Sequence, residues 1–372
     1  MTKIPISYAC FANHSGYAQA AHDILLAIDQ TQKYDLRAHF LFNRNLPLTG
    51  MTKERHSKLS SLACKPLTDN HVTVYHCIPA TQKQIKRTKR TIGFAIFETF
   101  DPPNEGPTSW VKALNLNDAV ICPSKFNVSV FSNAGVVKPI FYVPHCVDFD
   151  LYSPETLPIR KHERFTFMFF GTWKLRKGYA QLAEAFLQEF GAEDNVQLLI
   201  KTNLPENAKT YFQTMNRNLG LEKKETAPIL VERTIFDERS LPRFMKSADC
   251  LVSPTLGEGF GLPGLQCMAL GVPVIVTDFS GCQEYANEQT ATLLKPEGFI
   301  QHRQLDNLPQ FINKKWAFVT VSSIRRAMRY AYENQDEIKN KAETAYAYVR
   351  ERFSPEHAAS AFDEAVRSVT DD

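Results

Sequence analysis

The sequence contains no run that approaches 18 consecutive apolar residues, so no helix in it is expected to span a membrane. Its eight cysteines never come closer than Cys64 and Cys77, so no CxxC pair exists to build a zinc knuckle or a dithiol redox motif. The ten histidines include no His-x-x-x-His pair, and no protein-built metal site is expected. Internal repeats and low-complexity tracts are missing. Net charge is scarce too: a formal +3 and a pI near 8.3 are too mild for a dedicated nucleic-acid binder, although charge can still be local. The opening stretch, Met1 to Cys10, is too short and polar for a signal peptide and reads as a first buried strand. Most cysteines sit in apolar runs, where a thiol behaves as a small hydrophobe, so a reduced, cytoplasmic setting is expected.

What is present is ordinary globular material. With 44% hydrophobic and 22% charged residues, 372 residues are enough for two domains with separate cores. Short apolar runs alternate with helix-like segments. Strands are expected at 4–12, 37–42, 72–77, 91–98, 119–123 and 140–144, with a helix at 16–30. The pattern then repeats: strands at 165–171, 196–202, 229–233, 250–254 and 274–277, helices at 179–190, 241–247 and 262–270. Continuous apolar strands alternating with helices imply an α/β fold whose parallel sheets are covered on both faces. A long helical stretch at 322–352 and a second helix at 357–369 close the chain. A polar, proline-bearing segment suggests a linker at 151–163. The expected organisation is therefore a domain at 1–150, a domain at 164–350, and a helix at 351–372 returning to the first. In open parallel sheets ligands bind outside the carboxyl ends of the strands, so residues just after strands are the ones to inspect.

Gly257-Glu258-Gly259-Phe260-Gly261-Leu262-Pro263-Gly264-Leu265-Gln266 follows one strand and opens a helix. Glycines let backbone N–H groups approach a ligand, proline suits a first helical turn, and a helix N-terminus favours anions. Glu258 at the tip can accept hydrogen bonds from sugar hydroxyls; equally, it can cap a tight turn. This stretch, with Gly271-Val272-Pro273-Val274-Ile275-Val276-Thr277 and Gly281-Cys282-Gln283-Glu284-Tyr285, resembles the signature of retaining nucleotide-sugar glycosyltransferases of family 4 (group 1). Their pattern is a Glu, then GFGLP, then a second Glu eight positions after the first. The resemblance implies a GT-B fold: two Rossmann-like, doubly wound parallel-sheet domains facing a central cleft. Here Gln266 replaces the second Glu, which in the family holds the ribose. Gln keeps a carbonyl acceptor and loses the charge, so ribose recognition is expected to be weaker or altered.

Other segments fit the same resemblance. Gly171-Thr172-Trp173-Lys174-Leu175-Arg176-Lys177-Gly178 resembles the family segment whose cations clamp the donor diphosphate, with Lys177 matching the family Lys. Thr172 stands where an Arg is expected, and either Lys174 or Arg176 could supply that charge. His14-Ser15-Gly16-Tyr17-Ala18 resembles the glycine-rich first loop, with Gly16 near the phosphates; a plain helix start capped by Ser15 is the alternative. Many members place a His after the fourth strand. This chain resembles a subset with Glu98-Thr99 followed by Trp110, in which Glu98 would lie on the acceptor side as an orienting group or base. Asp118, Ser124 and Asn127 match that subset's next stretch, and Pro144-His145-Cys146-Val147-Asp148 matches a hinge motif. Lys83, Lys86, Arg87, Lys89 and Arg90 put five cations in eight residues, as a solvated face or as an acceptor-side patch for a lipid phosphate, anionic glycan or nucleic acid.

The implied activity is transfer of a sugar from a nucleoside diphosphate sugar to an acceptor hydroxyl, keeping the anomeric configuration. The catalytic candidates are Glu258, Lys177 and Glu98. The donor-binding candidates are Gly16, Thr172, Lys177, Glu258, Gly259, Phe260, Gly261, Leu262 and Gln266. No cofactor or metal is expected, because helix N-termini and Lys177 carry the charge. The acceptor is open among glycan, lipid carrier and nucleobase, and a peripheral membrane contact is compatible with the basic run 83–90. A degenerate nucleotide-sugar binder, suggested by Gln266 and Thr172, and a sugar-nucleotide epimerase on the same fold are the alternatives.

Overall fold

The structure is a computed structural model that describes residues 3–371 apart from 14, 43–45, 67–69, 84, 86–87, 204–207 and 222–224. The chain divides into two compact units. The first comprises Met1–Asp148, Phe236–Glu238 and Glu351–Asp372; the second comprises Phe149–Ile235 and Arg239–Arg350.

The first unit is built on β1 (Ile4–Phe11), β2 (Tyr34–Leu41), β3 (Val72–His76), β4 (Arg90–Phe94), β5 (Ala119–Cys122) and β6 (Ile140–Tyr142), all paired parallel in the order β2-β1-β3-β4-β5-β6. Helices α1 (Gly16–Gln30), α2 (Lys53–Ala63), α3 (Pro79–Gln82), α4 (Trp110–Leu114) and α5 (Lys125–Asn133) connect them. The interior strands β3 and β5 are buried on both faces, as coverage on both sides requires. Helix α1 begins where the Ser15 hydroxyl accepts the Ala18 N–H at 3.2 Å, and it buries Ala21, Ile24, Leu25 and Ile28 against the sheet.

The second unit repeats the plan with β7 (Phe165–Phe170), β8 (Val196–Lys201), β9 (Ile229–Glu232), β10 (Cys250–Ser253), β11 (Val274–Thr277) and β12 (Thr292–Leu294), again all parallel, in the order β12-β11-β10-β7-β8-β9. Its helices are α6 (Tyr179–Glu189), α7 (Ala208–Asn218), α8 (Ser240–Met245) and α9 (Leu262–Ala269). An antiparallel hairpin, β13 (Gly298–Gln304) and β14 (Ile312–Phe318), precedes α10 (Val321–Glu333) and α11 (Gln335–Arg352). The last helix, α12 (Pro355–Thr370), belongs to the first unit. It buries Ala358, Ala359, Phe362, Ala365 and Val366 in that unit's core, about 1.5–3 kcal/mol for a side chain the size of Phe362.

The two sheets are the pair of parallel doubly wound sheets expected from the alternating pattern. Strand β12 and helices α3, α4, α5 and α7 lie outside the expected elements, and three further differences have a clear physical cause. The stretch 322–352 reads as one helix but breaks at Asn334, whose side chain donates to Tyr330 O at 2.8 Å and competes with the helical ladder. Helix α2 shows almost no apolar periodicity, because it buries only Leu59 and Leu62. The β13–β14 hairpin lies outside the expected elements: Phe299, Ile300, Ile312 and Phe318 are exposed, and of the two paired strands mainly Trp316 and Ala317 are buried.

Candidate active site

In a doubly wound sheet the crevice opens where the strand order reverses, at the carboxyl ends of the two strands that part there. In the second sheet those strands are β7 and β10. The segments leaving them are 171–178 and 254–261, the two that the sequence singles out. They are tied together: Leu256 N–H donates to Arg176 O at 2.7 Å, and the Thr255 hydroxyl donates to the same carbonyl at 3.0 Å.

This pairing brings Lys177 Nζ to 2.5 Å from Glu258 Oε1, and Arg176 Nη1 to 3.3 Å from Glu258 Oε2. Glu258 is buried. Burial alone would raise its carboxyl, but the charges of Lys177 and Arg176 and their hydrogen bonds outweigh it and hold the group below the ordinary carboxylate range. Its backbone is pinned as well, with Glu258 N–H donating to the Ser280 hydroxyl at 2.9 Å and Glu258 O accepting from Gly281 N–H at 2.9 Å. Between the alternatives Lys174 and Arg176, only Arg176 meets Glu258; Lys174 and Thr172 are exposed.

The glycines have steric reasons. Gly178 has φ +75°, and a Cβ there would lie 2.0 Å from Pro254 O. Gly261 has φ +92° at the start of α9, and Tyr285 donates its hydroxyl to Gly261 O at 2.9 Å. A Cβ on Gly281 would lie 2.2 Å from Gly259 O, so residue 281 must be bare for the turn to fold back on itself. Gly259, Phe260, Gly261 and Leu262 therefore form a fixed turn that leads into a helix N-terminus, a place with partial positive charge. Phe260 is buried with its ring 5.8 Å from that of Tyr285. One turn into α9, Gln266 is buried and donates Nε2–H to the Tyr152 hydroxyl at 3.2 Å.

The first sheet reverses between β1 and β3. The segment after β1 contains His14, which lies outside the described residues, and Gly16, the exposed first residue of α1, where an added Cβ would meet nothing within 4 Å. Beside it, His76 stacks on Phe94 with centroids 3.7 Å apart, its Nδ1 lies 2.6 Å from the Tyr8 hydroxyl, and Tyr17 stands edge-on to both rings. Burial, then the neighbouring His145 and His22, push His76 well below its ordinary value, and burial takes His145 to about 3, so both rings are neutral. Glu98 is half-buried four residues past β4, close enough to Tyr17 to add to the effect of burial, Cys77 and Tyr8 in raising that phenol. The chain before Glu98 is held by Asn127, whose Oδ1 accepts Phe97 N–H at 2.5 Å while Ser124 caps α5. Asp118 accepts Thr91 N–H at 2.7 Å at the other end of β4. In the basic run, Lys83 donates to Pro107 O at 3.0 Å and Lys89 is exposed, whereas Lys86 and Arg87 lie outside the described residues. No group of three or more His, Cys, Asp or Glu that could hold a metal occurs among the described residues, and no described helix is long and apolar enough to cross a membrane.

Sequence reasoning missed Tyr152 and Asp306. Asp306 Oδ1 accepts the Leu175 N–H at 2.6 Å, and its Oδ2 lies 3.6 Å from Arg176 Nε. The Asp306-Asn307 dipeptide is a turn signal that could have marked it; Tyr152, in the polar segment between the sheets, carries none.

Two parallel doubly wound sheets, the second with a carboxylate and two cations on a glycine turn at its switch point, define a GT-B architecture. Residues 164–322 match the family Glycosyl transferases group 1, so the second unit carries a domain similar to that family. Over 123 residues it is 29% identical to the serotype-specific mannosyltransferase WbdA of Escherichia coli, covering 33% of this chain and 14% of that one. Over 70 residues it is 34% identical to the lipopolysaccharide core biosynthesis mannosyltransferase LpsB of Rhizobium meliloti (strain 1021), covering 18% and 20%. The matched part thus spans a fifth or less of these relatives' lengths. Among solved structures, Anabaena Alr3699/HepE in complex with UDP-glucose is similar over 98% of this chain and 100% of its own, with TM-score 0.67 and 14% identity. Sucrose-phosphate synthase from Thermosynechococcus elongatus is similar over 99% and 100%, with TM-score 0.69 and 13% identity.

Proposed function

We propose that the protein is a retaining glycosyltransferase that moves a sugar from a nucleoside diphosphate sugar to an acceptor hydroxyl, in the cytoplasm and without a metal. The observation that carries this reading is the Lys177–Glu258–Arg176 cluster, a buried carboxylate between two cations beside a helix N-terminus at a switch point. A neutral, hydroxyl-rich ligand bearing a diphosphate matches that charge pattern. Its sugar hydroxyls would take the place of a cation against Glu258, and its phosphates would take up the released cation. The curated relatives named as mannosyltransferases and the solved neighbour holding UDP-glucose support the class of donor.

In this reading Glu258 holds the donor sugar, and the backbone of Gly259, Phe260, Gly261 and Leu262 lines the sugar and diphosphate. Lys177 neutralises the leaving diphosphate, and Gln266 meets the ribose. Gly16 lies toward the phosphates and Glu98 toward the acceptor. The anomeric C–O bond to the diphosphate breaks on the face where the acceptor oxygen forms its new bond to the same carbon. The acceptor proton passes to the departing phosphate oxygen, so the configuration is kept and no enzyme nucleophile is needed. Cations preset against the growing phosphate charge lower the barrier without reorganisation. The acceptor is a glycan, a lipid carrier or a nucleobase.

The test is a panel of UDP-, GDP-, ADP- and dTDP-sugars read by thermal shift and by acceptor-free hydrolysis. A ligand of the native state raises the melting temperature. A shift for one donor with slow hydrolysis that disappears in Glu258→Ala supports the proposal. Epimerised donor would point to the epimerase reading. No shift with any donor overturns it.

A further inference from the structure

The segment between β13 and β14 makes a set of contacts that the cluster at Glu258 does not account for. Asp306 is a buried carboxylate whose side chain is 1% exposed. A buried carboxylate is costly unless compensated. Its two compensating groups both belong to the turn that carries Arg176 and Lys177: the Leu175 N–H at 2.6 Å and the Arg176 guanidinium, with Nε at 3.6 Å. Phe311 lies against the same guanidinium at 5.8 Å from its centroid, and Trp316 stands edge-on to Phe311 at 4.9 Å. From the other side, Ala317 N–H donates to Leu256 O at 3.0 Å. The hairpin thus grips both segments of the switch point. Asp306 and Asn307 sit at φ +58° and +55°, a left-handed pair that Asp and Asn tolerate better than other side chains.

We infer that Asp306 is a positioning residue that sets the Arg176 guanidinium against Glu258 for recognition of a nucleoside diphosphate; this rests on the transferase reading for its ligand but not for its geometry. Arg176 reaches Glu258 through one end of its fork, and Asp306 Oδ2 lies 3.6 Å from its Nε, an ion-pair distance beyond a hydrogen bond, so the two carboxylates attract the guanidinium from two directions. A planar, rigid fork gains most from being preset, because less freedom is lost when a phosphate binds.

Simple electrostatics predicts the opposite effect. Asp306 adds a negative charge near the place proposed for the diphosphate. If it acted only through charge, Asp306→Asn would tighten diphosphate binding. If it positions Arg176, the same substitution weakens binding. Asn keeps an oxygen acceptor for the Leu175 N–H and tolerates the left-handed backbone, so the variant is expected to fold, which its thermal melt checks.

The experiment has two readouts on the full chain. The first uses the free protein: the Arg176 Nε–H signal in a 15N-resolved spectrum, assigned with Arg176→Lys. It is expected to be ordered and slow to exchange in the parent and to lose both properties in Asp306→Asn; an unchanged signal overturns the inference. The second uses the four nucleoside diphosphates UDP, GDP, ADP and dTDP as probes, and affinity for the one the parent binds is expected to fall about tenfold in Asp306→Asn. Unchanged or tighter binding overturns the inference. Adding Asp306→Asn to Arg176→Lys should then change affinity less than twofold, because the positioned group is already gone; a full additive loss overturns it. Should the parent bind none of the four nucleoside diphosphates, the transferase reading falls, and the Arg176 signal alone decides the positioning role.

Discussion

The two sheets are both parallel and doubly wound, in the different orders β2-β1-β3-β4-β5-β6 and β12-β11-β10-β7-β8-β9, and their switch points carry opposite chemistry. At the second, the chain gathers four charges, Arg176, Lys177, Glu258 and Asp306, beside turns in which a Cβ on Gly178, Gly261 or Gly281 would collide. At the first, it gathers neutral rings, Tyr8, Tyr17, His76 and Phe94, and Gly16 at the start of α1 is sterically idle. The lesson is that a shared fold sets where a ligand site lies, while the side chains set which ligand it suits. A charged, rigid turn suits a diphosphate sugar. A neutral aromatic crest suits a less charged group.

The largest effect should come from breaking the charged side of this contrast. Glu258→Ala removes the carboxylate and leaves Lys177 and Arg176 facing each other in a mostly buried place. Donor turnover is expected to fall by about 10³-fold, in line with loss of a preset transition-state contact. Breaking a buried pair should also cost stability, about 3 kcal/mol. Hydrolysis kinetics and urea unfolding measure the two separately, and turnover within tenfold of the parent would remove Glu258 from the site.

The glycines give a paired test of similar size on one side and near zero on the other. Gly178→Ala must relieve a contact of 2.0 Å with Pro254 O and hold alanine at φ +75°, so a loss of about 3 kcal/mol or more is expected. Gly16→Ala meets nothing within 4 Å and lies in a helical first turn, so stability should be unchanged or rise by about 0.5 kcal/mol. If Gly16→Ala instead abolishes turnover while leaving stability intact, Gly16 faces the phosphates after all.

Acid should separate the units. His76 and His145 titrate below their unfolded value, near 6.5, and His22 is lowered to about 4, chiefly by burial and then by Arg55. Between that unfolded value and the folded ones the unfolded chain binds more protons, so stability falls as pH falls, by about 1.4 kcal/mol per pH unit for each such group. Glu258 is also lowered, so its contribution is present above its unfolded value near 4.3 and is lost as pH drops through the folded one. The first unit should therefore weaken from about pH 6.5 downward, and the Glu258 cluster only below about pH 4.5. Trp110 reports on the first unit and Trp173 and Trp316 on the second, so single-tryptophan variants melted across this range would show which loosens first.

Much of this was legible in the sequence. Continuous apolar strands announced both sheets, and the spacing from Glu258 through Gly261 announced the turn, because steric need for glycine leaves a signature that single residues carry. What stayed hidden depends on partners distant in the chain. Asp306 reaches Leu175 across 131 positions, and Tyr152 reaches Gln266 across 114. The sequence left Lys174 and Arg176 equivalent as cations; the choice between them is made by the 3₁₀ turn Leu175–Lys177, which sends Arg176 and Lys177 inward and leaves Lys174 exposed. Helix α2 and the β13–β14 hairpin escaped because each buries too few side chains to write a period.

The smallest and most informative effect concerns Gln266. Its amide now donates to the Tyr152 hydroxyl at 3.2 Å, and both residues are buried. Glutamate cannot donate, so in Gln266→Glu the tyrosine hydroxyl must reverse and donate to the carboxylate, which keeps the pair intact. The new charge costs desolvation, and the nearby α9 N-terminus offsets part of it, so stability should drop by about 1 kcal/mol. If Gln266 meets the ribose, a carboxylate there makes charge-assisted hydrogen bonds in place of neutral ones, and nucleoside diphosphate affinity should tighten by up to about tenfold. Calorimetric titration of the parent and the variant with the same diphosphate reads this directly. A weaker affinity would mean that Gln266 serves only to pack and bond Tyr152, and the ribose contact would have to be sought elsewhere on the second sheet's switch point.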